Sequence, residues 1–399
     1  MSNDTFRPGA ARALFLSSTA FAVSFAIWGL ISALAPKFTE IYGLSATEKS
    51  ILIAIPVLLG SIGRLPAGML ADRFGGRNVF TALLLFSAIP AILVGFSTSY
   101  TQLILLGLFL GLAGTTFSVG VGFTSKWFPP EKQGFALGVY GMGNIGQSIA
   151  VFGAPVLTAW LGAWQPVFYI FAAISLVWGV VFYLFARDAA VSAKPKTLAE
   201  NLSVLKGSKI AWVLSLFYFL TFGGFVAFAI YLPTLLRDLY QLTPTDAGAR
   251  TAGFVLLATL MRPLGGVLAD KIGGARVLLF VFAAIAAFSL LLGLPSIAAF
   301  TVGALGGAAA LGLGNGAVFK LVPEYFPKET GTVTGLVGAF GGLGGFFPPL
   351  VLGVVKDSTG SYTLGFIFLT TFAVMCMAIN YLVFFRGTAV EKMNAATIS

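Results

Sequence analysis

The sequence predicts an all-α membrane protein whose twelve transmembrane helices form two pseudo-symmetric six-helix halves. Three observations carry that expectation: a composition too apolar for water, evenly recurring hydrophobic runs, and a motif set repeated at one constant spacing. Of 399 residues, 58% are hydrophobic and 10% are charged, whereas a soluble domain is about a quarter charged. Such a chain cannot furnish a polar surface, so lipid is its expected solvent.

Apolar runs of about 20 residues suffice to cross a hydrocarbon layer about 30 Å thick. They recur at 13–35, 47–71, 78–96, 100–125, 133–158, 164–186, 209–234, 246–270, 276–294, 297–323, 330–354 and 362–386. The first follows Arg7 and Arg12 somewhat as a secretion signal would, but it is longer than a signal core and further runs follow, so it is expected to remain as the first helix. Basic residues alternate in density between successive loops. If the N-terminus is cytoplasmic, the opposite side holds only Lys37, Lys49, Arg237, Arg250 and Lys356. That bias predicts a multi-pass protein with both termini in the cytoplasm.

The most polar stretch separates the sixth and seventh runs. It divides the chain into an N-terminal six-helix bundle (1–190), a cytoplasmic linker (191–208) and a C-terminal six-helix bundle (209–399). The bundles read as copies. Arg64, Gly68, Asp72, Arg73 and Gly75 recur as Arg262, Gly266, Asp270, Lys271 and Gly273, while Phe128, Pro129 and Glu131 recur as Phe326, Pro327 and Glu329, all at an offset of 198 residues. Two motifs at one offset mark an internal duplication.

Several function classes are disfavoured. The net charge of +10 is spread over short loops without interleaved aromatics, so no nucleic-acid partner is expected. Cys376 is the single cysteine and histidine is absent, which leaves no thiolate or imidazole cage. No metal or other cofactor is expected. The apolar runs hold no acid pair or activated nucleophile, so no enzyme is expected either.

Arg64 and Arg262 carry the most information. Each precedes the aspartate of its repeat by eight residues, about 12 Å inside the helix end at 1.5 Å per residue. A charge at that depth costs a few kcal/mol or more and needs a partner. All fourteen acidic residues fall in loops, tails or helix ends, leaving no carboxylate for either guanidinium. A bound anion would supply the missing charge, and the arginine fork suits an oxyanion. Backbone carbonyls or snorkelling to the surface could satisfy one such arginine, but two repeat-related positions favour an anion. Glycines concentrate in the fifth run (Gly134, Gly138, Gly141, Gly143, Gly146, with Asn144) and the eleventh (Gly331 to Gly345). They permit close helix approach and could bring backbone dipoles to a small substrate.

The run Gly68, Met69, Leu70, Ala71, Asp72, Arg73, Phe74, Gly75, Gly76, Arg77 resembles the signature loop of the major facilitator superfamily. That resemblance implies the major facilitator fold, with a substrate site at mid-membrane between the halves. Asp72, Arg73 and Arg77, with Asp270 and Lys271 in the second half, would then form a cytoplasmic gating network. The segments Trp127 to Gly134, continuing to Gly146, and Gly331 to Gly345 resemble the two signatures of the nitrate/nitrite porter family. Met261, Arg262, Pro263 and the run Gly314 to Lys320 also look like that family. Carried over by position, this resemblance implies that Arg64 and Arg262 clamp a nitrate or nitrite ion and that Asn144 and Tyr218 donate further hydrogen bonds. It also implies that Phe117 and Phe319 sandwich the ion's plane and that Gly141 and Gly338 line the site. For either phenylalanine, simple core packing remains the alternative.

A monomeric carrier in the cell membrane, serving nitrate assimilation, is the expectation. Two like charges in an empty site disfavour return of the unloaded carrier, so nitrate/nitrite antiport is expected. Nitrate/proton symport and exchange of small carboxylates such as oxalate and formate are the alternatives. The duplicated gating loop argues against an open channel.

Overall fold

The structure is a computed structural model that describes residues 8–189, 208–326 and 330–386. The expected linker therefore falls almost entirely outside the described residues. The first six helices are α1 (Ala10–Tyr42), α2 (Ala46–Ile62, continued as Arg64–Phe74), α3 (Gly76–Val94), α4 (Tyr100–Leu110, continued as Thr116–Ser125), α5 (Pro130–Gly141, continued as Ile145–Leu161) and α6 (Gln165–Phe185). The second six are α7 (Lys209–Tyr240), α8 (Pro244–Ile272), α9 (Gly274–Leu292), α10 (Ile297–Tyr325), α11 (Thr330–Thr359) and α12 (Thr363–Tyr381). The start of α1 at Ala10 and the last described residue, Arg386, lie on one face of this bundle, here the terminal face. The opposite end is the far face.

Several helices outrun the apolar stretches that predict them. α1 continues to Tyr42 and α7 to Tyr240, about two turns beyond the expected ends at 35 and 234. Helical hydrogen bonds belong to the backbone, so the helix persists beyond the apolar zone and its last turns carry Lys37, Glu40, Arg237 and Asp238. Side-chain caps set the starts. Ser45 and Glu48 form a capping box at α2, and Thr243 accepts from the Asp246 amide at α8, each satisfying an amide that a helix start leaves open. The repeated turns after α2 and α8 pivot on Gly75 (φ 88°) and Gly273 (φ 92°). A residue with a Cβ adopts that region at a cost, which explains glycine at both repeat-related positions.

Burial separates inner from outer helices. In their most apolar stretches, 72% of α1 and 78% of α7 is buried, against 22% of α12. The halves meet along α2 with α11 and α5 with α8. Inside the first half, α5 lies so close to α1 that a Cβ on Gly146 would collide with the Ala22 carbonyl. Overpacking of this kind costs about 1–3 kcal/mol. Gly146→Ala should therefore lower the midpoint of thermal unfolding in detergent, while Gly153→Ala, where added bulk meets open space, should leave it in place.

The halves differ in regularity at the centre of the membrane. α2 breaks at Gly63, α4 tightens into a 3₁₀ turn at Gly111–Thr115, and α5 does so at Met142–Asn144. In the second half, Arg262, Phe319 and Gly338 sit within unbroken helices. Tight turns inside helices re-aim side chains and mark hinges, and each of these three adjoins or contains a predicted site residue: Arg64, Phe117 or Asn144.

Polar contacts close the far face. Lys49 pairs with Asp238 at 2.8 Å, and Asp238 also accepts from the Tyr362 hydroxyl at 2.7 Å. Arg237 pairs with Glu40 at 2.8 Å, and Asp357 accepts from the Thr47 amide at 2.9 Å. Hydrogen bonds that join the two halves lie at the level of Arg64 and nearer the far face.

Candidate functional site

The break at Gly63 leaves Arg64 at the head of the second segment of α2, with its backbone carbonyl accepting from Ser118 at 2.9 Å. The side chain is only 3% exposed. Its Nη1 donates to the Gly338 carbonyl across the interface at 2.6 Å, while its buried Nε has no partner. Arg262 lies on α8 with Nε and Nη2 both buried and unpartnered. Its Nη1 would stand 3.7 Å from a Cβ on Gly141. Each arginine thus reaches the glycine signature of the opposite half. Neither forms an ion pair with a carboxylate among the described residues.

Aromatic rings occupy the space around these charges. The Arg64 guanidinium carbon is 5.1 Å from the centre of Phe117 and 5.2 Å from that of Phe222. That of Arg262 is 5.2 Å from Phe222 and 5.1 Å from Phe225. Cation–π contacts contribute about 0.5–2 kcal/mol each. They offset only part of the cost of burying two cations, which is several kcal/mol per ion.

The other predicted residues lie around this pair. Tyr218 is fully buried, and its hydroxyl has no partner. Its ring is parallel to that of Phe222 at 4.9 Å and meets Phe319 edge-on at 4.9 Å. Asn144 is fully buried in the 3₁₀ turn of α5. One amide hydrogen goes to the Gly141 carbonyl at 2.7 Å, Oδ1 is unpartnered, and the second amide hydrogen remains to be given. The ring stacked on Phe117 from the other half is Phe222, at 5.9 Å and 24°. Phe319 instead packs on Tyr218, so the expected pair of walls is joined through α7 rather than facing directly in this conformation.

Buried donors without acceptors cost about 1–3 kcal/mol each, and more when charged. The unpartnered Arg64 Nε, Arg262 Nε and Nη2 and Tyr218 hydroxyl all surround one cluster of rings. Chemically the cluster offers unpartnered donors that suit a small acceptor-rich group between flat apolar walls.

Two residues at this level escaped the sequence reading. Phe222 stands four residues after Tyr218 and so shares its helix face, a signal available in the sequence. Asn315 is 2% exposed with both amide atoms unpartnered. It precedes Gly316, where the missing Cβ leaves room for the Arg262 carbonyl.

The predicted gating residues lie on the terminal face. Arg77 donates from Nε to the Tyr183 carbonyl at 2.8 Å and from its backbone to Asp188 at 3.0 Å, fastening the turn between α2 and α3 to α6. Asp270 pairs with Lys320 at 2.6 Å, joining α8 to α10. Arg73 is exposed beside Phe74, and Lys271 is exposed. The Asp72 side chain lies outside the described residues. The ties described for Arg77 and Asp270 run within one half.

Comparison with known proteins places the chain in a family. The Major Facilitator Superfamily profile matches residues 16–249 and 214–398. The chain is 43% identical over 362 residues to the nitrite extrusion protein of Bacillus subtilis, covering 90% of this chain and 91% of that one. It is 40% identical to the probable nitrate transporter NarT of Staphylococcus epidermidis (91% and 94% covered) and 39% identical to the probable nitrate/nitrite transporter NarK2 of Mycobacterium tuberculosis (92% and 95% covered). Among solved structures, the human organic anion transporter MFSD10 superposes with a TM-score of 0.73 at 18% identity, over 94% of this chain and all of that one. A bacterial homologue of the lysosomal transporter Spinster superposes with a TM-score of 0.71 at 18% identity, over 95% and 97%. The chain belongs to the nitrate/nitrite porter family of the major facilitator superfamily.

Proposed function

We propose that this protein carries nitrate and nitrite across the cytoplasmic membrane by alternating access, exchanging one anion for the other. One observation carries the reading: two guanidiniums, one from each half, keep buried donors without partners and have no carboxylate among the described residues. Nitrate is flat, presents acceptors around its edge and is weakly hydrated, so it suits arginine forks and aromatic walls together. The names of the relatives support the same cargo. Arg64, Arg262, Tyr218 and Asn144 bind the anion; Phe117, Phe319, Gly141 and Gly338 shape its chamber. The gating loops at Asp72, Arg73, Arg77, Asp270 and Lys271 face the cytoplasm with both termini, and the carrier works as a monomer without enzymatic turnover.

The hydrogen bonds joining the halves at and beyond the arginines support a state closed to the outside. Antiport follows from the empty site. Both guanidinium carbons lie 5.2 Å from one ring centre, so they are at most twice that distance apart. At an effective dielectric of about 20, their repulsion is at least on the order of 1.5 kcal/mol, added to the desolvation of both. A bound anion removes this penalty.

Proteoliposomes test the proposal. Nitrate uptake into vesicles preloaded with nitrite should exceed uptake into unloaded vesicles by about tenfold or more, because each 1.4 kcal/mol of unrelieved penalty is a factor of ten. Equal uptake by unloaded vesicles under a proton gradient would assign symport instead, and stronger competition by oxalate or formate than by nitrite would change the cargo.

A further inference from the structure

Two tyrosines near the centre of the membrane, Tyr218 and Tyr140, are fully buried, and they use their hydroxyls differently. Tyr218 keeps its donor free. Tyr140, which immediately precedes Gly141 on α5, commits its own: the hydroxyl donates to the Thr116 carbonyl at 2.8 Å, with the Phe117 carbonyl at 3.4 Å. A phenol has one hydrogen to give, so Tyr140 has none left for cargo. The fold keeps a slot for this side chain, because a Cβ on Gly120 would collide with its hydroxyl and ring. Phe21 of α1 stacks on the same ring at 4.8 Å and 19°.

The carbonyls that Tyr140 holds belong to the stretch of α4 that carries the Phe117 wall. Three consecutive residues make the connection to Arg64. Thr116 accepts from the tyrosine, Phe117 sets its ring centre 5.1 Å from the guanidinium carbon, and Ser118 donates to the Arg64 carbonyl at 2.9 Å. This stretch follows the 3₁₀ turn at Gly111–Thr115. Hydrogen bonds in such a turn are poorly aligned, so the turn alone fixes only weakly the angle at which Phe117 leaves α4. Tyr140 supplies a second anchor from α5, just before that helix tightens at Met142–Asn144.

We propose that Tyr140 is a positioning residue that sets selectivity without touching cargo. By pinning the backbone of Phe117 it fixes that ring against Arg64 and keeps the chamber narrow enough to prefer a flat anion. The proposal deepens the nitrate reading and rests on Arg64 as part of the anion clamp. Without the anchor, Phe117 gains play and the chamber admits thicker monoanions.

Tyr140→Phe tests this, since the ring and its stack on Phe21 stay while the hydroxyl goes. In proteoliposome exchange, KM for nitrate should rise by about threefold to tenfold, with the maximal rate kept within about twofold. Preference for nitrate over perchlorate, a tetrahedral monoanion, should fall by a similar factor. A tyrosine that only packs would lower thermal stability and leave that preference in place, so unchanged KM and preference overturn the proposal. A fall in maximal rate alone overturns it too, by assigning the bond to the conformational step. Gly120→Ala, which crowds the same hydroxyl, should shift KM and preference in the same direction, and Gly122→Ala, where added bulk meets open space, should shift neither. A readout independent of cargo separates this proposal from the nitrate reading. With para-fluorophenylalanine in place of Phe117, the fluorine resonance in anion-free detergent should move or broaden on Tyr140→Phe. A resonance that stays in place overturns the proposal. One that moves, in a parent that fails to bind nitrate, upholds the placement of Phe117 and sinks the nitrate reading alone.

Discussion

Replacing either central arginine with lysine is expected to abolish nitrate counterflow, lowering its initial rate by about 100-fold or more. Lysine keeps the charge and most of the length. It loses the planar fork, and its compact ammonium is more strongly hydrated. For Arg262→Lys, the loss falls on the two donors that stand buried and unpartnered, Nε and Nη2. Charge-assisted hydrogen bonds contribute about 1.5–3 kcal/mol each, so two of them account for a factor of about 100 to about 20,000. Arg64→Lys also disturbs the bond from Nη1 to the Gly338 carbonyl, which joins the halves at 2.6 Å. It should therefore impair both binding and the closure that follows. Initial rates in proteoliposomes measure the effect, with monodispersity and helix content confirming that each variant folds. Retention of rate within threefold would mean that a point charge suffices, and recognition by the forks would have to be given up.

Which parts of this molecule could be read from its sequence depends on the range of the interaction. Helices, their number and the duplication are written locally, in runs of apolar residues and in the offset between Arg64 and Arg262. The depth of those arginines follows from helix rise alone, so their burial without a described carboxylate partner was legible too. The ends of α1 and α7 were not, because Glu40, Arg237 and Asp238 look like loop residues until the opposite half supplies their partners. Phe222 was only half hidden: four residues after Tyr218, it shares that residue's helix face. In a chain with 39 phenylalanines, only the three-dimensional meeting of α2, α7 and α8 singles out the one between two cations. The 3₁₀ turns of α4 and α5 lie within glycine-rich apolar stretches, where nothing local separates a tightened turn from a continuous helix.

The far-face contacts lead to the second large effect. Asp238→Ala is expected to shift the carrier from the conformation described here toward one open at the far face. Lys49 has a side chain 8% exposed, and Asp238 one 26% exposed. Removing the carboxylate leaves the ammonium buried without its charge partner and frees the Tyr362 hydroxyl, which donates to the same oxygen at 2.7 Å. Breaking a buried pair on one side costs about 3–5 kcal/mol, and partial exposure of Asp238 reduces this to about 2–3 kcal/mol. A difference of that size changes the ratio of two conformations by roughly 30- to 150-fold. The neighbouring pair cannot compensate. Glu40 is 48% exposed, and an ion pair so open to water contributes about 1 kcal/mol at most. Spin labels at Thr98→Cys and Ser361→Cys, one exposed far-face position in each half, would report the change as a longer inter-label distance in most molecules. Exchanging the charges, with Lys49→Asp and Asp238→Lys together, should return much of the population to the shorter distance. If Asp238→Ala leaves the distances unchanged, the seal must come from the apolar packing of α2 on α11 and α5 on α8. The ion pair would then only decorate an interface that closes without it.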